Sequence, residues 1–571
     1  MTNRLACLTS VLALTAGTAS AQETSFNRIA SFATPLNMAE GEDRTRETSS
    51  EIVAAPEDGM MLIYSDSPLG VVGMIDITDP ANLKPLGNLD MGGEPTSVAV
   101  IGGRAFVGVN TSESYTSPSG RLAVIDLASK SEVASCDLGG QPDSVARAPD
   151  GSLLAIAIEN ERDEDLNDGE IPQMPAGYVA MFDVTGGEID CAAMRKADVT
   201  GLAEVASDDP EPEFVDINAA GEVVVTMQEN NHIAVLGRDG AVLSHFSAGA
   251  VTLEGVDLKR DGMLAFTQTQ QNRRREPDSV KWIDSDHFAT ADECDYEGGS
   301  RGFTIFRKDG TLVYESGASF EHAVIEIGHY PEHRSRSKGV EPESIDFATF
   351  NGRPTLFVGS ERGSVVGVYD LTDPADPVLT QLLPSGIGPE GFASIPARGL
   401  FVSANETDLR EDGLAASHVM VFALEASAPA YPQITSAGAS ELIGWGALPA
   451  LAAGDAPGML WAASDSVYSM MPRLYEIDAT QTPARIVRAI DITRGGYPAQ
   501  KLDLEGIAAD GEGGFWLASE GRTDRLIPHA ILHVDAEDEI DEEIGLPPEL
   551  IAVEKRFGFE GITMVGDTLW M

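Results

Sequence analysis

The sequence predicts an all-β fold, a seven-bladed β-propeller followed by a second, incomplete β-propeller domain. A phrase recurs in which an acidic residue, usually followed by a small residue, leads into an apolar run, and such a period indicates a repeat architecture. The acidic position is occupied by Glu51, Asp143, Glu213, Asp278, Glu343, Glu390, Glu505 and Glu560, and by Thr96 in one repeat.

Each repeat has the pattern of four short antiparallel strands, which is typical of one propeller blade. An apolar strand follows the phrase, a turn such as residues 149–151 leads to a second strand, and a third strand ends in an aspartate such as Asp126 or Asp370. Asp-Pro turns then lead into a fourth strand. Repeats that start near positions 51, 96, 143, 213, 278, 343 and 390 predict seven blades.

The two ends of the first repeat region are complementary. Residues 26–32 precede the first repeat and have the pattern of an isolated fourth strand, whereas the last repeat ends after its third strand at residues 419–424. Pairing of these segments would close the ring without an open edge strand. We therefore expect the first propeller to span residues 22–428.

A second domain is expected at residues 429–571. It contains only two to three repeat units, and the sequence stops inside an apparent strand at residues 569–571. Either the sequence is truncated or this region cannot close by itself. Long irregular intervals at residues 160–177, 248–276 and 316–338 are expected to decorate one face of the first ring.

The first 21 residues predict a secretory signal peptide. They combine Arg4, an apolar stretch and a small-residue cleavage site that ends at Ala21. We therefore expect a periplasmic or secreted protein, with no later segment able to cross a bilayer. In an oxidising compartment one disulfide and one free thiol are the simplest arrangement of the remaining cysteines. The preferred pair is Cys136 with Cys191, on predicted outer strands of neighbouring blades, rather than a pair that includes Cys294.

A formal net charge of −53 disfavours nucleic acid and anionic membrane surfaces as partners. Most of this charge is expected to form a solvated acidic surface. The second strands also end in carboxylates, and because neighbouring strands are antiparallel, these acids lie on the same rim as the acids of the repeat phrase. They are Glu159, Glu229, Glu293, Glu361, Glu406, Asp465 and Glu520.

Clustered carboxylates repel one another by about 1 kcal/mol or more even in a high dielectric. Calcium, which takes about six to eight oxygen ligands in flexible geometry, would neutralise them. The alternative is that these acids are solvated turn residues without a metal. The predicted metal ligands of the first ring are Glu213, Glu229, Asp278, Glu293, Glu343 and Glu361.

Basic residues are scarce and clustered, at positions 273–275 and 334–338 and at Arg522. Guanidinium groups beside a cation suit phosphate or carboxylate ligands. The alternative is that they pair with the acids of the rim.

Residues 334–343, with Glu341 and Glu343, and residues 276–278 followed by 290–293 resemble the choice-of-anchor I family of secreted bacterial propeller proteins. The resemblance covers about residues 45–425. Asp292 and Cys294 depart from the Thr-Ala-Asn-Glu-Gly-Asp phrase of that family.

From about residue 440, the chain is similar to the phytase-like esterase domain. The similarity is carried by residues 502–508 (Leu-Asp-Leu-Glu-Gly-Ile-Ala), 514–522 (Gly-Phe-Trp-Leu-Ala-Ser-Glu-Gly-Arg) and 559–562 (Phe-Glu-Gly-Ile). It implies a secreted, calcium-assisted hydrolase of phosphoesters that acts on a small phosphorylated substrate.

The corresponding site would hold calcium through Glu505, Glu520 and Glu560, with Asp503 supporting a ligand or acting as base. Arg522 would hold the phosphate. The alternative is a non-catalytic extracellular binding or scaffold propeller, which is stabilised by calcium and contacts an extracellular partner.

Overall fold

The computed structural model describes residues 24–293 and 295–571. The predicted signal peptide and Cys294 lie outside the described residues. Within these described residues, 25–425 form seven antiparallel sheets of four or five strands and one separate two-stranded hairpin; the seven larger sheets are numbered 1 to 7 from the chain position of their innermost strands. Each innermost strand contacts the innermost strand of the next sheet, and that of sheet 7 contacts that of sheet 1. The sheets therefore surround a central channel, and the propeller fold is confirmed.

The strands are given from the channel outward. Sheet 1 contains Val53–Ala54, Met61–Asp66, Val71–Asp76 and Lys84–Asp90, and sheet 2 contains Glu94–Ile101, Arg104–Asn110, Gly120–Asp126 and Ser131–Asp137. Sheet 3 contains Pro142–Arg147, Leu153–Ile158 and Tyr178–Thr185 with the short Glu188–Ile189 and Arg195–Ala197, and sheet 4 contains Pro212–Ile217, Val223–Met227, His232–Leu236 and Val242–Ser247.

The strands of sheets 5 to 7 are Val280–Trp282, His287–Asp292, Gly302–Arg307 and Leu312–Glu315; Pro342–Phe350, Arg353–Ser360, Val365–Asp370 and Val378–Pro384; and Pro389–Ile395, Leu400–Asn405, His418–Glu425 and Ser25–Ala33. The pairing of Ser25–Ala33 with His418–Glu425 is antiparallel and joins the two ends of the ring, as predicted.

The small residue of the repeat phrase lets neighbouring inner strands approach closely. The backbone N–H of Val145 donates to Ser97 Oγ (3.0 Å), and that of Val215 donates to Ser144 Oγ (2.9 Å). In sheet 7 the small residue is Gly391, where an added Cβ would lie 2.1 Å from the carbonyl oxygen of Glu51. Real Cβ atoms do not tolerate such a contact, so a larger residue would force the two strands apart.

Apolar side chains fill the space between adjacent sheets. Leu153 and Met181 of sheet 3, for example, pack in one buried cluster with Val215 and Val225 of sheet 4. Strand alternation puts these residues on the faces that meet, and burying them drives the stacking of sheets around the channel.

The disulfide between Cys136 and Cys191 is confirmed, with a Cα–Cα distance of 5.3 Å. Cys136 lies on the outer strand of sheet 2, as expected. Cys191 does not lie on a strand; it begins a 3₁₀ turn capped by the Asp190 side chain, which accepts a hydrogen bond from the N–H of Ala192. This turn interrupts the outer edge of sheet 3 and leaves two short strands there.

The insertions have defined structure. Residues 248–276 contain the hairpin Ala250–Val256 and Gln268–Arg274, and residues 316–338 contain the helix α1 (Ser319–Glu326).

The 3₁₀ helices of the described residues are Thr34–Asn37, Asn167–Gly169, Cys191–Ala193, Glu332–Arg334, Pro396–Arg398, Arg410–Asp412, Ser466–Tyr468 and Thr523–Arg525. Among the residues that the structure describes, no helix has the length and apolarity needed to cross a bilayer.

Residues 434–570 form two further sheets of the same kind. Sheet 8 contains Ala450–Ala453, Met459–Ala463, Arg473–Asp478 and Ala484–Asp491, with Ile434–Thr435 added in parallel. Sheet 9 contains Leu504–Ala509, Phe515–Ser519, Ala530–Val534 and Ile540–Gly545. Two hairpins, Thr493–Arg494 with Tyr497–Pro498 and Thr563–Val565 with Thr568–Trp570, and the helix α2 (Pro548–Ile551) complete this region.

Residues that follow α1 connect the two regions. The indole N–H of Trp445 donates to the carbonyl oxygen of Glu326 (3.0 Å), and the Tyr431 hydroxyl lies 2.6 Å from His329 Nε2. Tyr468 belongs to the same buried cluster as Tyr330. The insertion at residues 316–338 is therefore part of an apolar and hydrogen-bonded contact with the second region.

Candidate functional site

The acids of the repeat phrase converge on the channel. They stand at or just before the start of the inner strands, so their side chains point toward the axis that those strands surround. A cavity of about 80 Å³ is lined by Asp143, Glu213, Asp278, Glu343 and Glu390. One buried carboxylate oxygen of Glu343 and one of Glu390 have no hydrogen-bond partner in the described part of the chain.

Two tight groups of carboxylates form at the same rim, each with at least one acid that follows a second strand; the first group also contains two acids of the repeat phrase. In the Asp143 cluster, which consists of Asp143, Glu159 and Glu213, one carboxylate oxygen from each residue lies within 4.8 Å of the others. The Glu341 cluster, which consists of Glu293, Glu341 and Glu361, has the same spacing. Both have the geometry of a candidate cation site.

Burial and mutual repulsion raise the pKa values of the channel acids. Burial is the larger cause in each case, and the charges of neighbouring carboxylates add to it. The pKa of Asp143 is raised to about 8, that of Glu361 to about 8 and that of Glu51 to about 7. Those of Glu159, Glu213, Asp278, Glu343 and Glu390 lie well above their usual range.

The basic cluster at residues 334–338 pairs with the Glu341 cluster. Lys338 Nζ lies 2.9 Å from Glu293 Oε1, and Arg334 donates to both carboxylate oxygens of Glu341, with Nη2 2.5 Å from Oε1. Arg362 Nη1 lies 2.6 Å from Glu361 Oε1. Three cations therefore meet three carboxylates at this place.

The other predicted basic cluster, residues 273–275, also pairs with acids and polar groups. Arg274 Nη1 lies 2.9 Å from Glu297 Oε2, and Arg275 contacts Glu315 and donates to Thr304 Oγ1 (3.1 Å). In both clusters the pairing alternative describes the observed contacts.

A third tight group lies between sheets 8 and 9. The Asp503 cluster consists of Asp465, Asp503 and Glu505, again with one oxygen from each within 4.8 Å of the others. Asp465 follows the second strand of sheet 8, whereas Asp503 and Glu505 stand at the start of the inner strand of sheet 9. Gly506 lets the chain at Ile562, two residues after Glu560, approach this inner strand, because a Cβ at Gly506 would lie 2.9 Å from the backbone nitrogen of Ile562.

Glu520 and Glu560 act electrostatically on this cluster. The pKa of Glu505 is raised to about 7, first by burial and then by Asp465, Glu520, Asp503 and Glu560. The pKa of Glu520 is also raised, by burial and then by Asp503 and Glu560. Both acids are therefore close enough to the cluster to share its electrostatic field.

Arg522 and His529 flank Glu520. Arg522 Nη2 lies 3.4 Å from Asp524 Oδ2, whereas its buried Nε has no hydrogen-bond partner among the described residues. His529 is buried and packs against Gly521 and Gly558, where a Cβ would meet its ring at 2.5 and 2.3 Å. Its Nδ1 also has no partner in the described part of the chain.

The structure distributes the predicted metal ligands over several places. Glu213, Glu293, Glu361 and Glu505 belong to the tight groups. Asp278 and Glu343 line the channel cavity, and Glu229 Oε1 pairs with Arg162 Nη1 at 2.5 Å. Glu520 and Glu560 lie beside the Asp503 cluster rather than in its tight group.

Sequence reasoning left five members of the three tight groups out of the predicted metal ligands, and one of them, Asp503, was predicted instead to support a ligand or act as base. Asp143 belongs to the repeat phrase, and Glu159 and Asp465 follow second strands, so the pattern that selected the other ligands also includes them. Glu341 lies two residues before the phrase acid Glu343, with a left-handed backbone (φ 46°). A Glu-Pro step precedes the phrase position in the same way at Glu94, Glu211 and Glu276, and this signal could have marked Glu341.

Comparisons with known proteins agree with the two regions. The family model described as choice-of-anchor I domain matches residues 51–298 and 293–374, more than half of the chain. The model described as phytase-like, esterase-like activity of phytase, matches residues 443–571. No curated protein matches the chain significantly in sequence.

Several solved structures are similar at low identity. The WD40 repeats of RRP9 share 9% identity with a TM-score of 0.46, covering 70% of this chain and 100% of that chain. U3-55K shares 9% with a TM-score of 0.44, covering 66% and 95%. Kuenenia stuttgartiensis hydrazine synthase shares 15% with a TM-score of 0.41, covering 64% and 96%. From the family models, the chain belongs to the choice-of-anchor I family and carries a phytase-like domain at residues 443–571.

Proposed function

We propose that residues 443–571 hydrolyse the phosphoester of a small phosphorylated substrate, with calcium bound by the Asp503 cluster. The observation that carries this proposal is the convergence of Asp465, Asp503 and Glu505 within a domain that matches the phytase-like model. Choice-of-anchor domains are typical of extracellular or surface proteins, which supports the further proposal that the protein is secreted or periplasmic.

The donor set fits calcium. Calcium–oxygen distances are about 2.3–2.6 Å, so two ligands of one ion lie no more than about 5 Å apart. The 4.8 Å limit within the Asp503 cluster satisfies this condition for all three carboxylates. Asp503 is only 2% exposed, and a buried carboxylate beside two others needs a cation or a proton to offset its charge.

A bound calcium ion would polarise a phosphoryl oxygen and make water more acidic. The protein's own groups would do the rest. Glu520, next to the cluster, would take a proton from the attacking water, while the water oxygen bonds to phosphorus. The ester oxygen then leaves and takes a proton from solvent. Arg522 would bind a phosphate oxygen, which the unpartnered Nε of its guanidinium supports.

A non-catalytic extracellular binding or scaffold protein is the second candidate. The ion pairs of the Glu341 cluster favour it, because they use basic residues of the rim for internal contacts rather than for a ligand. Propellers host many unrelated functions, so the fold does not decide between the two. In this case calcium would stabilise the rings and an extracellular partner would bind the insertions.

Hydrolysis of p-nitrophenyl phosphate by the mature protein, with calcium or with a chelator, tests the proposal. We expect calcium-dependent turnover that falls at least tenfold in the Glu505→Gln/Glu520→Gln variant. Glu512→Gln, at an exposed turn of the same domain, is the matched control and should keep full activity. Turnover that is absent, or unchanged in the double variant, would favour the scaffold alternative.

A further inference from the structure

We propose that the Asp143 cluster in the channel of the first ring binds one calcium ion. This site lies in sheets 3 and 4 and does not depend on the hydrolytic function proposed for the Asp503 cluster. Asp143 is the second residue of the inner strand of sheet 3, Glu159 follows the second strand of that sheet, and Glu213 is the second residue of the inner strand of sheet 4. The ion would therefore join two neighbouring sheets.

The oxygens are close enough for one ion. One oxygen from each residue lies within 4.8 Å of the others, and ligands of a calcium ion are at most about 5 Å apart. Glu159 is buried, whereas Asp143 and Glu213 are exposed in part toward the channel cavity that they line. An ion could reach the cluster from this cavity.

Two buried carboxylates beside the cluster point independently to a missing ligand. Glu211 is 1% exposed, and neither of its carboxylate oxygens has a hydrogen-bond partner among the described residues. Glu229 is 2% exposed, and its Oε2 also has none. Buried polar atoms are almost always satisfied, so these three oxygens require an explanation.

Both carboxylates lie next to the cluster. The charge of Glu229 raises the pKa of Asp143, of Glu159 and of Glu213, and the charge of Glu211 raises that of Glu159. Arg162 already pairs with Glu229, and a divalent cation in the cluster would offset two of the charges that the remaining carboxylates carry when ionised. The unpartnered oxygens of Glu211 and Glu229 would then interact with the ion, directly or through a water molecule.

The Glu341 cluster provides an internal comparison. Its three carboxylates have the same 4.8 Å spacing, but Lys338, Arg334 and Arg362 already compensate them. In the described part of the chain, none of the three acids of the Asp143 cluster forms an ion pair within 4.0 Å. The nearby Arg162 is occupied by Glu229 and Asp295.

The donor chemistry selects the ion. All the candidate ligands are carboxylate oxygens, which suit hard cations rather than soft ones. Calcium accepts six to eight oxygens in flexible geometry, whereas magnesium requires a near-octahedral arrangement and retains several waters. A cluster of several crowded carboxylates therefore favours calcium over magnesium.

Calorimetric titration of the chelator-treated mature chain with calcium chloride tests the proposal. The background variant is Glu505→Gln, which removes a ligand of the Asp503 cluster and leaves the channel intact. In this background we expect one calcium ion to bind, with an affinity at least tenfold higher than that for magnesium. Adding Glu159→Gln and Glu213→Gln should weaken calcium binding at least a hundredfold.

Glu361→Gln in the same background is the matched control, because it neutralises an equally buried carboxylate in the compensated cluster. It should leave calcium affinity within about threefold. If the Glu159→Gln/Glu213→Gln variant loses its β-sheet circular dichroism, Asp143→Asn replaces it, with an expected weakening of at least tenfold. Absence of calcium binding in the Glu505→Gln background, or equal losses in the cluster variants and the control, would overturn the proposal.

The outcome is separable from that of the hydrolysis experiment. A protein without phosphatase activity but with calcium binding lost through Glu159→Gln/Glu213→Gln supports the channel site alone. Activity that persists while the channel binds no calcium would overturn this inference and leave the proposed hydrolysis intact.

Discussion

Replacement of Lys338 by methionine should destabilise the first ring in calcium-free buffer. Lys338 Nζ lies 2.9 Å from Glu293 Oε1, 2.8 Å from Asp295 Oδ1 and 4.0 Å from Glu341 Oε1. Its side chain is mostly buried, and the surrounding acids raise its pKa despite that burial. Methionine keeps much of the side-chain volume, so the substitution removes chiefly the charge.

The structure sets the size of the effect. Removing one partner of a buried ion pair costs about 3–5 kcal/mol, because the other charge stays buried without compensation. Glu341 keeps Arg334 and Asp295 keeps Arg162, so we expect a loss near the lower end, about 3 kcal/mol. For a cooperative unit of about 400 residues this corresponds to a fall of about 4 °C in the melting temperature.

Calcium should restore the lost stability of the variant. Without Lys338 the Glu341 cluster has one cationic partner fewer and can accept a calcium ion, as we propose for the Asp143 cluster. Scanning calorimetry of wild type and Lys338→Met, with and without calcium, measures both effects. Lys308→Met is the control, because Lys308 pairs with Glu222 at 2.9 Å in a more exposed place. This replacement should lower the free energy of unfolding by less than about 1 kcal/mol, and calcium should affect the variant no more than it affects wild type. An undiminished stability of Lys338→Met, or a loss that calcium does not reduce more than in wild type, would refute the reasoning.

Three further predictions concern stability. Gly391→Ala should lower the free energy of unfolding by about 3 kcal/mol, because the added Cβ would overlap the backbone oxygen of Glu51 in the neighbouring sheet. Gly103→Ala is the control and should be tolerated, because the space around Gly103 is open. Equal melting temperatures of the two variants would contradict this prediction. Replacing Cys136 and Cys191 by serine should cost up to about 4 kcal/mol, since their separation is 55 residues, and an unchanged calorimetric midpoint would show otherwise. In calcium-free buffer the melting temperature should fall as the pH rises from about 4 to about 8. The pKa of Asp143 in the folded state is raised to about 8, so between these pH values the native state holds a proton that the unfolded chain has released. Raising the pH therefore favours the unfolded chain. A rise across this range would contradict the prediction, and saturating calcium should reduce the fall.

The fold could be predicted because one local pattern repeats. Each phrase marks the start of an inner strand, and the residue that follows must be small where the next strand is close, as Ser97, Ser144 and Gly391 illustrate. The closure of the ring could be predicted in the same way, because residues 26–32 form an isolated strand before the first repeat and the last repeat lacks a fourth strand after residues 419–424. By contrast, the outer edge of sheet 3 is irregular, and Cys191 lies in a turn that strand patterns do not reveal.

The site was predictable only in part, because clusters form between neighbouring sheets. The strand pattern indicates which acids reach the rim, but not which of them share a cation. Glu293 and Glu361 are separated by a whole insertion in sequence and meet only through sheet packing. Whether basic residues neutralise a cluster depends on the path of the insertions. The insertion at residues 316–338 brings Lys338 and Arg334 to the Glu341 cluster, and no local sequence rule predicts that path.

All three clusters bridge adjacent sheets, and this shared placement bears on function. Asp143 and Glu159 belong to sheet 3 and Glu213 to sheet 4, while Asp465 follows a strand of sheet 8 and Glu505 begins a strand of sheet 9. A cation at either place would hold two sheets together, so structural and catalytic roles begin with the same binding event. What separates them lies outside the carboxylates. Arg522, two residues after Glu520, has a buried guanidinium nitrogen without a protein partner in the described part of the chain, whereas the arginines of the Glu341 cluster are held by acids. The guanidinium of Arg522 is therefore the group on which a phosphate-binding role for the second region depends.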